Sequence, residues 1–362
     1  MSDPSYSIFF KRPFTNNTKN NSKRLQKEKI NNKMFYFSAV LCNNNYEVIN
    51  LKNKNIKSSA ILGTLLFAPL AVNKLIFYLT EKINMFNEAE NIYEWRLGKI
   101  GYSVKGNGKP LLLIHNAFPG SSSEIWGKNT DELAKSYKVY TLDLLGYGTS
   151  ERVNTTYTAY TFGKLINDFI NDIIQKPTAI CAVGEGAMFA AVAYKINLDN
   201  FKRFILINPN GIADKIANNS DTKKRKLYEL PVIGESIYLY KMTRHRIRDI
   251  YNDRLFSSEK SKKYIADNIY VSAHIGGGNN RFVYASYITG FMNMDIKDYL
   301  SEITIPTMVI WGEKCKTNPI ANMETIKQLI PNGEFAVFEE TGELPNYENP
   351  TAFNSVVKNF LK

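Results

Sequence analysis

The chain has 362 residues, 44% of them hydrophobic, and a formal charge of +12. That is enough apolar material for the core of one large domain plus an extension, which excludes a wholly unfolded chain. The charge does not mark a nucleic-acid binder: residues 1–57 hold eleven Lys or Arg against Asp3, Glu28 and Glu47, so +8 of the +12 lies in this tail and no nucleic-acid partner is expected.

The tail also holds twelve asparagines and shows no sustained helix or strand periodicity, which predicts disorder over residues 1–57. Its one apolar run, residues 35–42, is too short to span a bilayer and is assigned no role. From residue 58 the composition reverses. The 23 residues 58–80 are apolar except for a few positions, chiefly Asn73 and Lys74, and are long enough to cross about 30 Å of hydrocarbon as a helix. Lys74 lies near the C-terminal end, where its stem can reach the interface. A single-pass membrane anchor over 58–84 is therefore expected, with the basic tail on the cytoplasmic side. The alternative for the segment is an amphipathic helix packed on the domain or lying flat on a membrane. The alternative address is an organelle, reached through the basic tail with Arg12 and Arg24. Cys42, Cys181 and Cys315 are too scattered for a zinc cluster and odd in number. Neither a disulfide framework, a metal nor another cofactor is expected.

After residue 90, strand and helix signals alternate. Residues 93–104 read as a hairpin with a turn at 106–110, 111–115 as a buried strand, 125–137 as a helix and 139–143 as a strand. Phe162, Leu165, Ile166, Phe169, Ile170, Ile173 and Ile174 form one unbroken apolar face at helical spacing. Strand 178–183, helix 187–196 and strand 203–208 follow. Near the end come strand 307–311, helix 321–329, strand 334–339 and helix 351–361. Such alternation predicts an α/β fold: a mostly parallel sheet covered by helices on both faces.

Residues 212–295 interrupt the alternation. They are helical, basic at residues 223–226 and 244–248, and rich in aromatics such as Tyr228, Tyr238, Tyr240, Phe282, Tyr284, Tyr287 and Phe291. This composition suits a cap inserted over the C-terminal edge of the sheet, where open α/β sheets bind ligands. The basic clusters read as a solvated face. The aromatics are either the cap's own core or the lining of an apolar cavity.

Five segments resemble the successive signatures of the α/β-hydrolase superfamily. They are Leu112-Leu-Ile-His-Asn-Ala-Phe-Pro-Gly120, Leu142-Asp-Leu-Leu-Gly-Tyr-Gly-Thr-Ser150, Ile207-Asn-Pro-Asn-Gly211, Ile305-Pro-Thr-Met-Val-Ile-Trp-Gly-Glu-Lys314 and Phe338-Glu-Glu-Thr-Gly-Glu-Leu-Pro345. The similarity covers residues 92–362 and is nearest to the lid-bearing esterase, epoxide hydrolase and haloalkane dehalogenase branch. It implies the α/β-hydrolase fold over 85–362 with a helical cap at 212–295.

The same resemblance implies a nucleophile, an acid and a histidine, and the chain departs from all three. In Val183-Gly-Glu-Gly-Ala-Met-Phe189, matching Gly184 to the first glycine of the elbow places Gly186 at the nucleophile and Met188 at the second small position. Cys315 stands at the acid and Glu343 at the base, and no histidine follows His274. A neutral thiol orients an imidazole poorly, and a carboxylate of ordinary pKa is a weak base at neutral pH. The oxyanion donors expected from the pattern are backbone N–H groups around Asn116 and Ala117, and that of Ala187. His115, Phe118, Glu185 and Met188 complete the candidate pocket.

These departures predict a non-catalytic, membrane-tethered member of the fold that binds a small apolar ligand or a protein partner. The alternative is an enzyme using Cys315, Glu343 and Glu185. The triple change Gly186→Ser, Cys315→Asp and Glu343→His is expected to restore slow hydrolysis where elbow and oxyanion donors are intact.

Overall fold

Runs such as Leu111-Leu-Leu-Ile114 and Phe204-Ile-Leu-Ile207 have no polar face, so they are stable only where both sides are covered. In the computed structural model, which describes residues 8–9, 58–82, 89–212, 220–256 and 258–362, they lie inside a nine-stranded sheet. By contacts, residues 11–65 form a unit separate from 1–10 and 66–362, and only helical residues 58–65 of that unit are described.

The strands are β1 (Ile8–Phe9), β2 (Asn91–Trp95), β3 (Gly98–Lys105), β4 (Lys109–Ile114), β5 (Tyr137–Leu142), β6 (Thr178–Val183), β7 (Phe201–Ile207), β8 (Thr307–Gly312) and β9 (Glu334–Phe338). Their order is β1-β9-β8-β7-β6-β4-β5-β3-β2. Only β2 with β3 and β3 with β5 pair antiparallel. The hairpin turns at Arg96 and Leu97, not at 106–110, because Trp95 faces Gly98 in the register. Gly106, with φ 81°, instead turns the chain from β3 toward β4. From β4 the chain moves to β5 on one side and then to β6 on the other. The crevice between the ends of β4 and β6 is thus the topological switch point.

Helix α1 is Ser58–Lys82. Helix α2 is Ala159–Phe169, capped by the Thr158 hydroxyl accepting from Thr161 N–H, and α3 is Glu185–Ile196. The α2 apolar face packs on α3, with Phe162 stacked on Phe189 at 4.5 Å. Its predicted continuation to Ile174 unwinds into a wider turn, Ile170–Ile174, closed by Gln175 at φ 58°. The helix expected at 125–137 is broken into a 3₁₀ turn, Ser123–Trp126, and a short helix, Thr130–Leu133. Between them the Asn129 amide donates to Asn346 O and Asn354 Oδ1, which pins the chain where a helix would have continued.

Among the described residues, five of the six α-helices between β7 and β8 form the cap: α4 (Thr222–Glu229), α5 (Ile233–Lys241), α6 (Arg244–Arg254), α7 (Glu259–His274) and α8 (Asn280–Ile288). Buried Arg152 ties them to the sheet, donating to Ser150 O at 2.6 Å, Ser272 O at 3.1 Å and Asn280 Oδ1 at 3.3 Å. Helices α9 (Asn322–Leu329) and α10 (Pro350–Leu361) close the fold.

The expectation of a transmembrane segment over 58–80 finds no support. Among the described residues no helix is long and apolar enough to cross a membrane. Asn73, Phe77 and Thr80, at helical spacing, are buried. Asn73 Nδ2 donates to Val232 O and Ser236 Oγ of the cap, and Phe77 meets His274 at 6.1 Å between centroids. This face of α1 is therefore held by protein. The predicted disorder of 1–57 falls, apart from the β1 residues, outside the described residues, as does Cys42.

Candidate functional site

The site forms where the loops after β4, β6, β8 and β9 converge beneath the cap. β6 ends at Val183 and α3 begins at Glu185, so the whole strand-to-helix reversal falls on Gly184, at φ 57° and ψ −118°. A Cβ added at Gly184 would meet nothing nearer than Asn116 Cβ at 3.4 Å. At Gly186 a Cβ would stand 2.3 Å from the His115 carbonyl oxygen. The elbow residue is thus Gly184, which corrects the assignment of that place to Gly186.

With the frame moved by two, Ala182 and Gly186 are the small residues two before and two after the elbow. Gly186 lets α3 pass the His115 carbonyl, so the turn keeps its tightness. Met188 is not the second small position but a core residue, 2% exposed. The donor following the elbow becomes the N–H of Glu185 instead of Ala187, which is buried inside α3.

A chamber of about 210 Å³ opens at this turn, with walls from Asn116, Phe118, Gly184, Glu185, Asn208, Asn210, Arg254, Tyr287, Cys315, Thr317 and Glu343. Cys315 and Glu343 thus share the chamber with the elbow at Gly184. His115 is not among the walls. Its Nε2 accepts from Leu144 N–H at 3.0 Å, its Nδ1 lies 2.6 Å from Asn116 O, and burial lowers its pKa. It is a neutral structural imidazole.

The Glu185 side chain folds back across the oxyanion loop. Its Oε2 accepts from Ala117 N–H at 3.1 Å, and its Oε1 from Asn210 Nδ2 at 2.9 Å. The N–H that a reacting carbonyl would need already holds a carboxylate of the protein.

Cys315 follows β8 on a turn closed by its N–H to Gly312 O at 3.0 Å. Burial pushes its thiol up to about 11; Thr317 and Asn318 oppose this and the Glu343 charge adds to it. A thiolate nucleophile needs the opposite surroundings. Glu343 sits on a loop clamped by the Glu348 carboxylate, which accepts N–H groups from Gly342, Leu344 and Phe256. Asn208 adds its amide to Gly342 O and Glu343 O. Glu343 Oε2 faces Arg254 Nη1 at 3.5 Å, while buried Oε1 has no hydrogen-bond partner. Burial raises this carboxyl to about 7 against the pull of Arg254 and Thr317, with Glu185 and Glu348 adding to the rise.

A second cavity, of about 400 Å³, shares Phe118, Arg254 and Tyr287 with the chamber and is also lined by Met242, Ile250, Tyr284 and Ile288. Here the cap aromatics Tyr284 and Tyr287 do line a space, whereas Tyr238 is 1% exposed core.

The model of the alpha/beta hydrolase fold family matches residues 110–350, well over half of the chain. The chain belongs to the α/β-hydrolase family. Within that family it is 24% identical over 282 residues to 3-oxoadipate enol-lactonase 1 of Acinetobacter baylyi, covering 72% of this chain and 92% of that one. In fold it matches a serine hydrolase involved in carbazole degradation with a TM-score of 0.62 at 18% identity, over 76% of this chain and 99% of the other. A membrane phospholipase A matches with a TM-score of 0.60 at 18% identity, over 91% of this chain and 98% of the other.

Arg254 escaped the sequence reading of this α/β-hydrolase-fold chain because it belongs to a basic helix that read as solvated. Its place is set by tertiary structure: α6 ends over Phe118, with the guanidinium 5.4 Å from that ring. Asn208 and Asn210 lay in a recognised motif, but nothing in their spacing said that they would hold Glu343 and Glu185.

Proposed function

We propose that this protein is a ligand-binding member of the α/β-hydrolase family without serine-hydrolase turnover. The observation that carries the reading is the elbow: Gly184 has no side chain, and the Glu185 carboxylate occupies the neighbouring oxyanion donor. Nucleophilic attack lacks its side chain, and oxyanion stabilisation has lost one of its two backbone donors. The wider cavity, walled by Met242, Ile250, Tyr284 and Ile288, suits the apolar body of a small ligand. Across a p-nitrophenyl ester series the full chain is expected to show no turnover above a denatured control. Saturable hydrolysis by the native protein would sink the reading.

One observation favours an enzyme of other chemistry. Glu343, held near neutrality by burial, has the pKa of a general acid or base. On that reading any turnover found disappears in Glu343→Gln and survives Cys315→Ser, whose thiol is held protonated.

Membrane association is proposed through the outward face of α1. Val72 (43% exposed), Leu75 (46%), Tyr78 (52%) and Leu79 (41%) lie opposite the face packed on the cap, with Lys74 and Lys82 exposed beside them. An apolar stripe with flanking cations suits an anionic lipid interface. The full chain is expected to co-sediment with vesicles containing phosphatidylglycerol. Leu75→Glu with Leu79→Glu should weaken this by about tenfold or more; unchanged binding would contradict the assignment to this face.

A further inference from the structure

We propose that the chamber takes a ligand headgroup that donates hydrogen bonds, an alcohol or an alkylammonium, and discriminates against carbonyl and carboxylate groups. The inference rests on the ligand-binding reading above and adds the chemical class of the ligand. It follows from which groups in the chamber are already satisfied.

Three of the chamber's donors are already committed. Ala117 N–H and the Asn210 amide are both given to Glu185, at 3.1 and 2.9 Å, and Arg254 Nη1 faces Glu343 Oε2 at 3.5 Å. The acceptors are not. Glu343 Oε1 and Asn116 Oδ1 are buried without a partner, on residues that are 6% and 7% exposed and that both wall the chamber. Buried acceptors left without donors are rare in folded proteins and mark a place where a donor is missing. A carbonyl or carboxylate brought here would set acceptor against acceptor. A hydroxyl or ammonium group would supply the missing hydrogens. At the Ala117 N–H, where a developing oxyanion would sit, a carboxylate of the protein now stands, and two unpartnered oxygens, Glu343 Oε1 and Asn116 Oδ1, face a ligand instead. The apolar cavity that shares Phe118 and Tyr287 with the chamber would hold the rest of such a molecule.

The two donor classes differ in their proton balance. The groups bearing on Glu343 are Arg254, Thr317, Glu185 and Glu348, and its own charge is felt by Cys315, Tyr251 and Tyr287. A second cation beside this carboxyl favours its charged form, so bound alkylammonium should release a proton. A bound alcohol should release none.

The test is calorimetric titration of the full chain at neutral pH with four probes of equal chain length: hexylammonium, hexanol, hexanoate and methyl hexanoate. At least one of the two donors is expected to bind about tenfold or more tightly than both acceptors. Heats for hexylammonium should vary with buffer ionisation enthalpy in the sense of proton release. Glu343→Leu, which removes one of the two orphaned acceptors, should weaken the preference. If that variant does not fold, Glu343→Gln should erase the proton release. Equal or tighter binding of hexanoate or the ester would overturn the inference, as would failure of all four to bind, a preference unchanged in Glu343→Leu, or a proton release unchanged in Glu343→Gln. Methanol released from methyl hexanoate in the same titration would instead overturn the ligand-binding reading, so the two failures are told apart.

Discussion

Between pH 4.5 and 7.5 the wild-type protein is expected to lose about 3 kcal/mol of stability that the Glu343→Gln variant keeps. The carboxyl is raised to about 7 in the folded state by burial, while in the unfolded chain it titrates at its ordinary value of 4.5. Below the lower value both states are protonated and the group contributes its full share to folding. As pH rises the unfolded state ionises first, which draws the equilibrium toward it. The loss is complete once pH has passed the folded value. Glutamine has no proton to lose, so its denaturant midpoint should fall less over the same range. Each pH unit between the two values corresponds to about 1.4 kcal/mol. Parallel pH profiles for the two proteins would show that Glu343 titrates in the folded state as it does in the unfolded chain.

The second large effect separates the two glycines of the elbow. Gly186→Ser would put a Cβ 2.3 Å from the His115 backbone oxygen and 3.1 Å from Ile114 Cγ2. The nearest obstacle is main chain in a central strand loop, so relief requires α3 or the loop to shift. Overpacking of this kind costs about 1 to 3 kcal/mol and occasionally more, and the upper end is expected here. Gly184→Ser meets no such obstacle, and its penalty is the left-handed backbone, of order 1 to 3 kcal/mol. Thermal unfolding should therefore show a larger drop for Gly186→Ser. A Gly186→Ser protein as stable as wild type would place the elbow elsewhere. The triple change built on Gly186 is expected to regain no hydrolysis, because its serine points at main chain and not into the chamber. A serine at position 184 would still share the site with Glu185.

The fold was legible in the sequence because its signals are redundant. The apolar strands 111–114, 178–183, 204–207 and 307–311 and the face from Phe162 to Phe169 each require the same layered sheet. The site was legible only as a set of places. Spacing located Cys315 and Glu343, and both line the chamber. The elbow was misplaced by two residues because a string of glycines, Gly184 and Gly186 around Glu185, fits the motif in two frames. Backbone dihedral angles and the room around each Cα decide between them, and neither is written in residue type. Glu185 was named as a candidate, but its occupation of Ala117 N–H depends on a side-chain direction set by Asn210. Likewise the segment 58–80 is apolar enough to suggest a spanning helix. Only the partners of Asn73 and Phe77 reveal that one face is covered by the cap.

The central claim is that this α/β-hydrolase fold carries a site without serine-hydrolase chemistry, and intact-mass analysis after exposure to an alkyl fluorophosphonate tests it most directly. The native full chain is expected to remain unmodified, matching a heat-denatured control. A single stoichiometric adduct on a serine of the native protein, not formed when the chain is unfolded before exposure, would contradict it.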